Sequence, residues 1–361
     1  MLNSAIMFIP RLLPGPQVFY GKGSLVFLKH LPAQKIALIS SRSAKQTPAH
    51  AKISEFLQGK IACETECASA GQEEVERIAK FLSENPHDTV IAFGGGKVMD
   101  CAKLATFLAE QNATLKELNM LCDLKRKSTF VAIPTTPATG SEANGVAVML
   151  SKEGKKTAFS SSSLVPDYTV LDPETLSTLP KQTLLESAGD IFGHAAESSL
   201  SRFSTPLIKA VAKSSVELLS EALPAIEAAT AGPADSAALE KLFYAGYLAG
   251  FCAGNAFVGP VHALAHTAEE LGKVPHSRGV LNITGPYLEW MCQKNPSPEC
   301  DWFSKKHKEL GLQKLCSNGV FQKLDSGAWA DAALLDTSMR TGKARFDKNS
   351  LCGLIECIKT Q

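Results

Sequence analysis

The sequence predicts a two-domain protein: an α/β domain built on a parallel sheet over residues 1–184, followed by an all-helical domain over residues 185–361. Two patterns predict it. Before Pro180, short apolar runs alternate with stretches of helical periodicity, and from Lys181 onward strand-like runs become rare. The length, 361 residues, accommodates two ordinary domains.

Each element has its own signal. Lys35-Ile36-Ala37-Leu38-Ile39-Ser40 reads as a buried strand. From Glu73 to Leu82, helical spacing puts Val75, Ile78, Ala79 and Leu82 on one face. Thr89-Val90-Ile91-Ala92-Phe93 is a second apolar strand, between Pro86 and three glycines, and Val98 to Leu108 reads as a helix. Phe130 to Ile133 is a further strand, ended by Pro134. Strands separated by helices imply βαβ units. In the second half, Leu207–Leu223 and Ala237–Ala253 are Ala/Leu-rich helices joined by the loop Ala229–Asp235.

Composition excludes several classes. Hydrophobic residues make up 45% and charged residues 20%, with a formal net charge of +1, so no global field recruits nucleic acid or an anionic membrane. The 10 cysteines include no C-x-x-C pair and read as reduced thiols. The apolar run Ala5–Ile9 is too short for a signal-peptide core, and no stretch approaches the roughly 20 apolar residues of a membrane span. The expected location is the cytoplasm.

Three segments carry chemistry. Gly94-Gly95-Gly96-Lys97 sits at a strand-to-helix junction, where backbone N–H groups and a helix N-terminus suit a pyrophosphate. It is not the G-x-G-x-x-G fingerprint, and a plain tight turn is the competing reading. Pro134-Thr135-Thr136-Pro137-Ala138-Thr139-Gly140-Ser141-Glu142 follows another strand; its hydroxyls suit a nucleotide or cap the next helix. In the helical half, Asp190 and His194 are four apart, His262 and His266 are four apart, and His276 follows. One carboxylate with two or three imidazoles suits Fe²⁺ or Zn²⁺, while buried core histidines are the alternative.

These residues resemble the iron-containing (group III) alcohol dehydrogenases, relatives of glycerol dehydrogenase and dehydroquinate synthase. The landmarks are GGGKVMDCAK at 94–103, IPTTPATGSE at 133–142, LDPETLSTLP at 171–180, DIFGHAAE at 190–197 and HALAHTAEELGKVPH at 262–276. The resemblance implies a Rossmann-like first domain binding NAD or NADP and a helical, dehydroquinate synthase-like second domain carrying the metal. It implies Asp190, His194, His262 and His276 as metal ligands, and His266 near the nicotinamide without being a primary ligand. His266 is then a candidate proton relay, with a histidine that only supports the ligands or the core as the competing reading. Gly95, Gly96 and Lys97 would line the pyrophosphate, Asp100 the nicotinamide side, Thr135, Thr136 and Thr139 the cofactor, and Lys156 its ribose. The implied reaction is hydride transfer between nicotinamide and a small alcohol or aldehyde, in the cleft between domains of a homodimer or higher oligomer.

The chain departs from the family in places. Where the family commonly has an aspartate after the second strand, this chain has Ser40-Ser41-Arg42. With Ser41 beside the cofactor and Arg42 available to a 2′-phosphate, the expectation tilts to NADP. Arg278, two residues after His276, is a candidate anchor for an anionic aldehyde bearing a phosphonate, phosphate or carboxylate, with an inter-helix ion pair as the competing reading. Beyond about residue 300 the match is poor. Two other functions stay open: a lyase of the dehydroquinate-synthase type, and a non-catalytic nicotinamide-binding protein.

Overall fold

The computed structural model describes residues 12–112, 114–118, 125–138, 140–152, 154–229 and 235–360. The run Ala5–Ile9, Thr139 and most of the loop at 229–235 lie outside the described residues. The chain divides into two compact units: one holds Leu13–Pro180 with Ala229–Tyr247, the other Lys181–Ala228 with Leu248–Gln361.

The described residues of the first unit form the strands β1 (Gln17–Tyr20), β2 (Ile36–Ser40), β3 (Ile61–Glu66), β4 (Thr89–Gly94), β5 (Thr129–Pro134), β6 (Val146–Leu150), β7 (Lys156–Ser160) and β8 (Tyr168–Leu171). Six form one sheet in the order β1-β8-β5-β4-β2-β3, every pair parallel. β6 and β7 make a separate antiparallel hairpin. Its helices are α1 (Arg42–Lys45), α2 (Pro48–Phe56), α3 (Gln72–Glu84), α4 (Gly96–Gln111) and α5 (Leu115–Leu118).

The period-two alternation of the central strands sorts side chains into two cores. Ala37, Ile39, Val90 and Ala92 join Val75, Ile78 and Leu104 from α3 and α4 on one face. Ile36, Leu38, Ile91 and Phe93 join Leu28 and Ile53 on the other. Strands buried on both faces read as continuous apolar runs, which is why β2 and β4 were legible. The chain leaves β2 for β3 on one side and returns to β4 on the other, so the strand order reverses between β2 and β4. Ligands of such sheets bind outside the carboxyl ends of the strands at that reversal. Ser41-Arg42 and the three glycines occupy those ends.

Among the described residues the helices α6 (Lys181–Leu200), α7 (Pro206–Ala228), α8 (Ser236–Ala256), α9 (Pro260–Gly272), α10 (His276–Lys294), α11 (Pro298–Glu309), α12 (Ser326–Leu335) and α13 (Lys348–Lys359) follow. α6 is the central rod of the second unit, packed by α7, α9, α10 and α11, and it is buried from Ser187 to Leu200. Two glycines set its approach to α10. A Cβ at Gly189 would lie 2.6 Å from Leu281, and one at Gly193 would lie 2.4 Å from Val280. This close packing seats α10, which begins with His276, against the turn of α6 that carries Asp190 and His194. Among the described residues no single helix is long and apolar enough to cross a membrane.

Candidate active site

The buried carboxylate of Asp190 is the hub of the helical unit. Its Oδ1 lies 3.5 Å from His262 Nε2, 3.7 Å from His194 Nδ1 and 3.9 Å from His276 Nε2. α6 supplies Asp190 and His194 one turn apart, α9 supplies His262, and α10 supplies His276 at its first position. Asp190 Oδ1, His194 Nδ1 and His262 Nε2 are buried without a hydrogen-bond partner among the described residues. Two donors bound at about 2.1 Å with a tetrahedral angle between them stand about 3.4 Å apart. The observed separations are near that spacing and too long for hydrogen bonds. Asp190, His194 and His262 thus form a group able to hold a metal ion. The carboxylate–imidazole donor set fits a divalent ion of the iron or zinc kind.

Glu197 orients this group. It lies one turn beyond His194 on α6, buried, and accepts from His262 Nδ1 at 2.7 Å. Its two oxygens also accept the N–H groups of Gly259 at 2.9 Å, Val261 at 2.7 Å and His262 at 3.3 Å, at the start of α9. The carboxylate therefore neutralises a helix N-terminus and fixes the ring with its proton on Nδ1. That tautomer leaves an Nε2 lone pair facing Asp190 Oδ1. Two acceptors face each other there, and only a proton or a metal cation between them makes the contact favourable.

The electrostatics follow from this arrangement. Burial alone would raise the Asp190 carboxyl, but the three imidazoles hold it well below the usual carboxylate range. Burial pushes His194 down to about 4, so it is neutral and able to ligate. Burial also opposes a charge on His262, yet the carboxylates of Asp190 and Glu197 prevail and push it up to about 9. Asp190 Oδ2 accepts from Ser277 Oγ at 3.1 Å, which ties the head of α10 to α6.

His266 and Arg278 flank the hub. The His266 ring stacks on that of His276, with centroids 5.2 Å apart and planes at 18°, and its Nδ1 lies 3.0 Å from Asp336 Oδ2. Arg278 pairs with Glu186 through Nε at 2.9 Å and a terminal nitrogen at 2.8 Å. The inter-helix ion pair is the reading the structure supports for Arg278, because its charge is already balanced within the fold.

The other sequence-derived residues cluster in the α/β unit. Gly95 caps α4 and Gly96 opens it, so the first N–H groups of α4 point out of the turn. Gly94 has a steric reason: a Cβ would lie 2.6 Å from Val98. Lys97 is exposed on the first turn of α4. Thr135 N–H donates to Gly94 O at 2.9 Å, joining the two loops, and Thr136 Oγ1 would meet a Cβ on Gly95 at 3.3 Å. Ser41 Oγ accepts from Ala44 N at 3.1 Å as the N-cap of α1, while Arg42 is exposed and makes no ion pair with a described residue. Lys156 lies half-buried on β7.

Asp100 belongs to a buried network that sequence reasoning overlooked. Ser141 Oγ donates to Asp100 Oδ1 at 2.6 Å. Lys103, fully buried, donates to the carbonyl of Ser141, to Ser141 Oγ at 2.9 Å, to Asn144 O at 2.8 Å and to Val146 O at 3.0 Å. A cation on α4 thereby pins the loop after β5. Burial pushes Lys103 down to about 8 and the neighbouring Glu142 up to about 7. Glu197 was missed for a similar reason. Its spacing of seven from Asp190 and three from His194 places it on the ligand face of α6, and that spacing was the available signal.

Comparison with known proteins gives a consistent picture. The family model "Iron-containing alcohol dehydrogenase" matches residues 15–173, and "Fe-containing alcohol dehydrogenase family, C-terminal" matches residues 185–297. The chain is 28% identical over 292 residues to the probable alcohol dehydrogenase EutG of Escherichia coli, covering 76% of this chain and 73% of that protein. It is 27% identical over 306 residues to the NADPH-dependent butanol dehydrogenase of Clostridium saccharobutylicum, covering 82% and 76%. The fold is shared with the iron-containing alcohol dehydrogenase of Thermotoga maritima, with a TM-score of 0.84, 23% identity and coverage of 98% of this chain and 100% of that one. It is shared as well with the sulfoacetaldehyde reductase of Bifidobacterium kashiwanohense in complex with NAD⁺, with a TM-score of 0.86, 16% identity and the same coverage of both chains. Matched in both its α/β and its helical part, the chain belongs to the iron-containing alcohol dehydrogenase family.

Proposed function

We propose that this protein interconverts a small alcohol and its aldehyde or ketone, using one divalent ion held by Asp190, His194, His262 and His276 and a nicotinamide dinucleotide seated on the turn at Gly94–Gly96. The observation that carries the reading is the convergence of three imidazoles on one buried carboxylate oxygen. When bound, the ion supplies Lewis-acid polarisation of the substrate oxygen, and the nicotinamide gives or takes hydride.

The chain's own residues do the rest. Glu197 holds His262 in the ligating tautomer. Asp190, His194 and His262 are buried, so they would shield the protein-facing side of the ion from bulk water. The N–H groups at the start of α4 receive the pyrophosphate, with Lys97 adding charge. Thr135, Thr136 and Thr139 take the cofactor's polar groups, and Lys156 and Asp100 its ribose and nicotinamide side. Ser41 caps the short helix that presents Arg42 at the end of β2, and Arg42 takes the 2′-phosphate of NADP. His266 exchanges the proton of the alcohol. A neutral substrate suits the site better than an anionic one, since Glu186 already balances Arg278.

Anaerobic purification with metal analysis, followed by an aldehyde panel with NADPH and NADH, tests the reading. Expected are about one ion per chain, oxidation of NADPH faster than of NADH, and preference for uncharged over acidic aldehydes. His262→Ala should lose both ion and turnover, and full activity of a metal-replete His262→Ala protein would refute the ligand assignment. Stoichiometric oxidation of the reduced cofactor separates this activity from a lyase of the dehydroquinate-synthase type. Tight cofactor binding without turnover on any substrate would favour the non-catalytic reading instead.

A further inference from the structure

The second imidazole of α9 has a carboxylate of its own. His266 Nδ1 lies 3.0 Å from Asp336 Oδ2. Asp336 sits between α12 and the 3-10 turn Thr337–Arg340, where its Oδ1 accepts the N–H of Ser338 at 2.7 Å and its own N–H donates to Ala333 O at 3.2 Å. Both carboxylate oxygens are therefore committed, one to the turn and one to the imidazole.

The helix that delivers this acid is docked on α9. Trp329 of α12 is completely buried, and its indole N–H donates to Leu264 O at 3.0 Å and Thr267 Oγ1 at 3.1 Å. Those two residues bracket His266 on α9, so the anchor and the carboxylate engage the same turn. Asp336 lies beyond residue 297, where the match to the family model ends. A segment outside the residues matched by the family model thus supplies an oriented acid to a histidine at the site.

We propose that Asp336 is the positioning residue for His266: it holds the ring with its proton on Nδ1 and so leaves Nε2 to exchange the alcohol's proton. The inference rests on the dehydrogenase reading. A bond from Nδ1 to a carboxylate requires a proton on Nδ1, and the neutral ring then keeps its lone pair on Nε2. In alcohol oxidation the O–H bond breaks and its proton passes to Nε2, while the C–H hydrogen leaves with two electrons as hydride to the nicotinamide. In aldehyde reduction Nε2 returns the proton to oxygen. The His266 side chain is 16% exposed, so the proton reaches solvent without crossing the core.

The test has one arm that needs no activity. Nitrogen-15 NMR of the zinc-loaded wild-type protein, with His266→Gln to assign the ring, should show the proton on Nδ1; a neutral ring protonated on Nε2 overturns the proposal. The second arm is Asp336→Asn, in which the amide oxygen keeps the Ser338 cap and the NH₂ faces Nδ1. The proton should move to Nε2, with kcat lower by about tenfold or more at unchanged metal content and cofactor KM. Wild-type kcat in a variant whose tautomer has flipped overturns the relay. An inactive wild-type protein would refute the dehydrogenase reading, while its NMR spectrum would still decide whether Asp336 sets the tautomer.

Discussion

Replacing Glu197 by glutamine changes one oxygen to NH₂ with almost no change of volume. Every group around that carboxylate is a donor: Val261 N–H on Oε1, and Gly259 N–H, His262 N–H and His262 Nδ1 on Oε2. The cheaper orientation keeps the oxygen on the three donors at Oε2 and sets the NH₂ against Val261 N–H, which loses a bond of 2.7 Å. One charge-assisted hydrogen bond lost is worth about 1.5–3 kcal/mol of stability. The remaining bond to Nδ1 loses its charge, and partners of metal-bound histidines typically contribute about 10–100-fold in affinity. Competition with a chromophoric chelator should therefore show zinc binding weakened by about one to two orders of magnitude, with urea unfolding of the metal-free protein shifted by about 2 kcal/mol. Affinity within twofold of wild type would show that Glu197 does not orient the ligand.

Three other outcomes are expected. In the metal-free protein His262 is pushed up to about 9 while His194 is pushed down to about 4, so at pH 7.5 zinc must displace the proton between His262 and Asp190. A pH indicator should then record release of about one proton per ion at pH 7.5 and almost none at pH 10, with affinity falling as pH drops below about 9; equal release at both values would contradict this. Lys103→Met removes a cation from three carbonyls and from the carboxylates of Asp100 and Glu142, and should cost about 3–5 kcal/mol in unfolding with a loss of cofactor affinity; a change under about 1 kcal/mol would show that the network is incidental. Arg42→Glu should raise the KM for NADPH about tenfold and leave that for NADH unchanged, as steady-state kinetics will reveal.

The sequence made the most apolar or most periodic elements legible. β2, β4 and β5 were readable because both of their faces are buried, and α3, α4, α7 and α8 because their apolar spacing is regular. β3 escaped notice: Ile61–Glu66 is an edge strand that turns its glutamates to solvent, so it lacks a continuous apolar run. β1, β8 and the β6–β7 hairpin are only four or five residues long and owe their strand form to pairing rather than to local pattern. At the site, Asp190 with His194 and His262 with His266 stood out by spacing along one helix. Their meeting across helices depends on Gly189 and Gly193, whose role becomes visible only once α10 lies on α6. Glu197 and Asp336 act through hydrogen bonds spanning 65 and 70 residues, beyond the reach of any local pattern. Arg278 was readable as a cation, but its partner Glu186 lies 92 residues away, so the pairing left no local signal.

The account is tested most directly by titrating metal-free protein with Fe²⁺ under anaerobic conditions while following NADPH oxidation by a short-chain aldehyde. Turnover should rise from zero in a straight line and break at about one ion per chain. Undiminished turnover before any iron is added, or none after saturation, would contradict it.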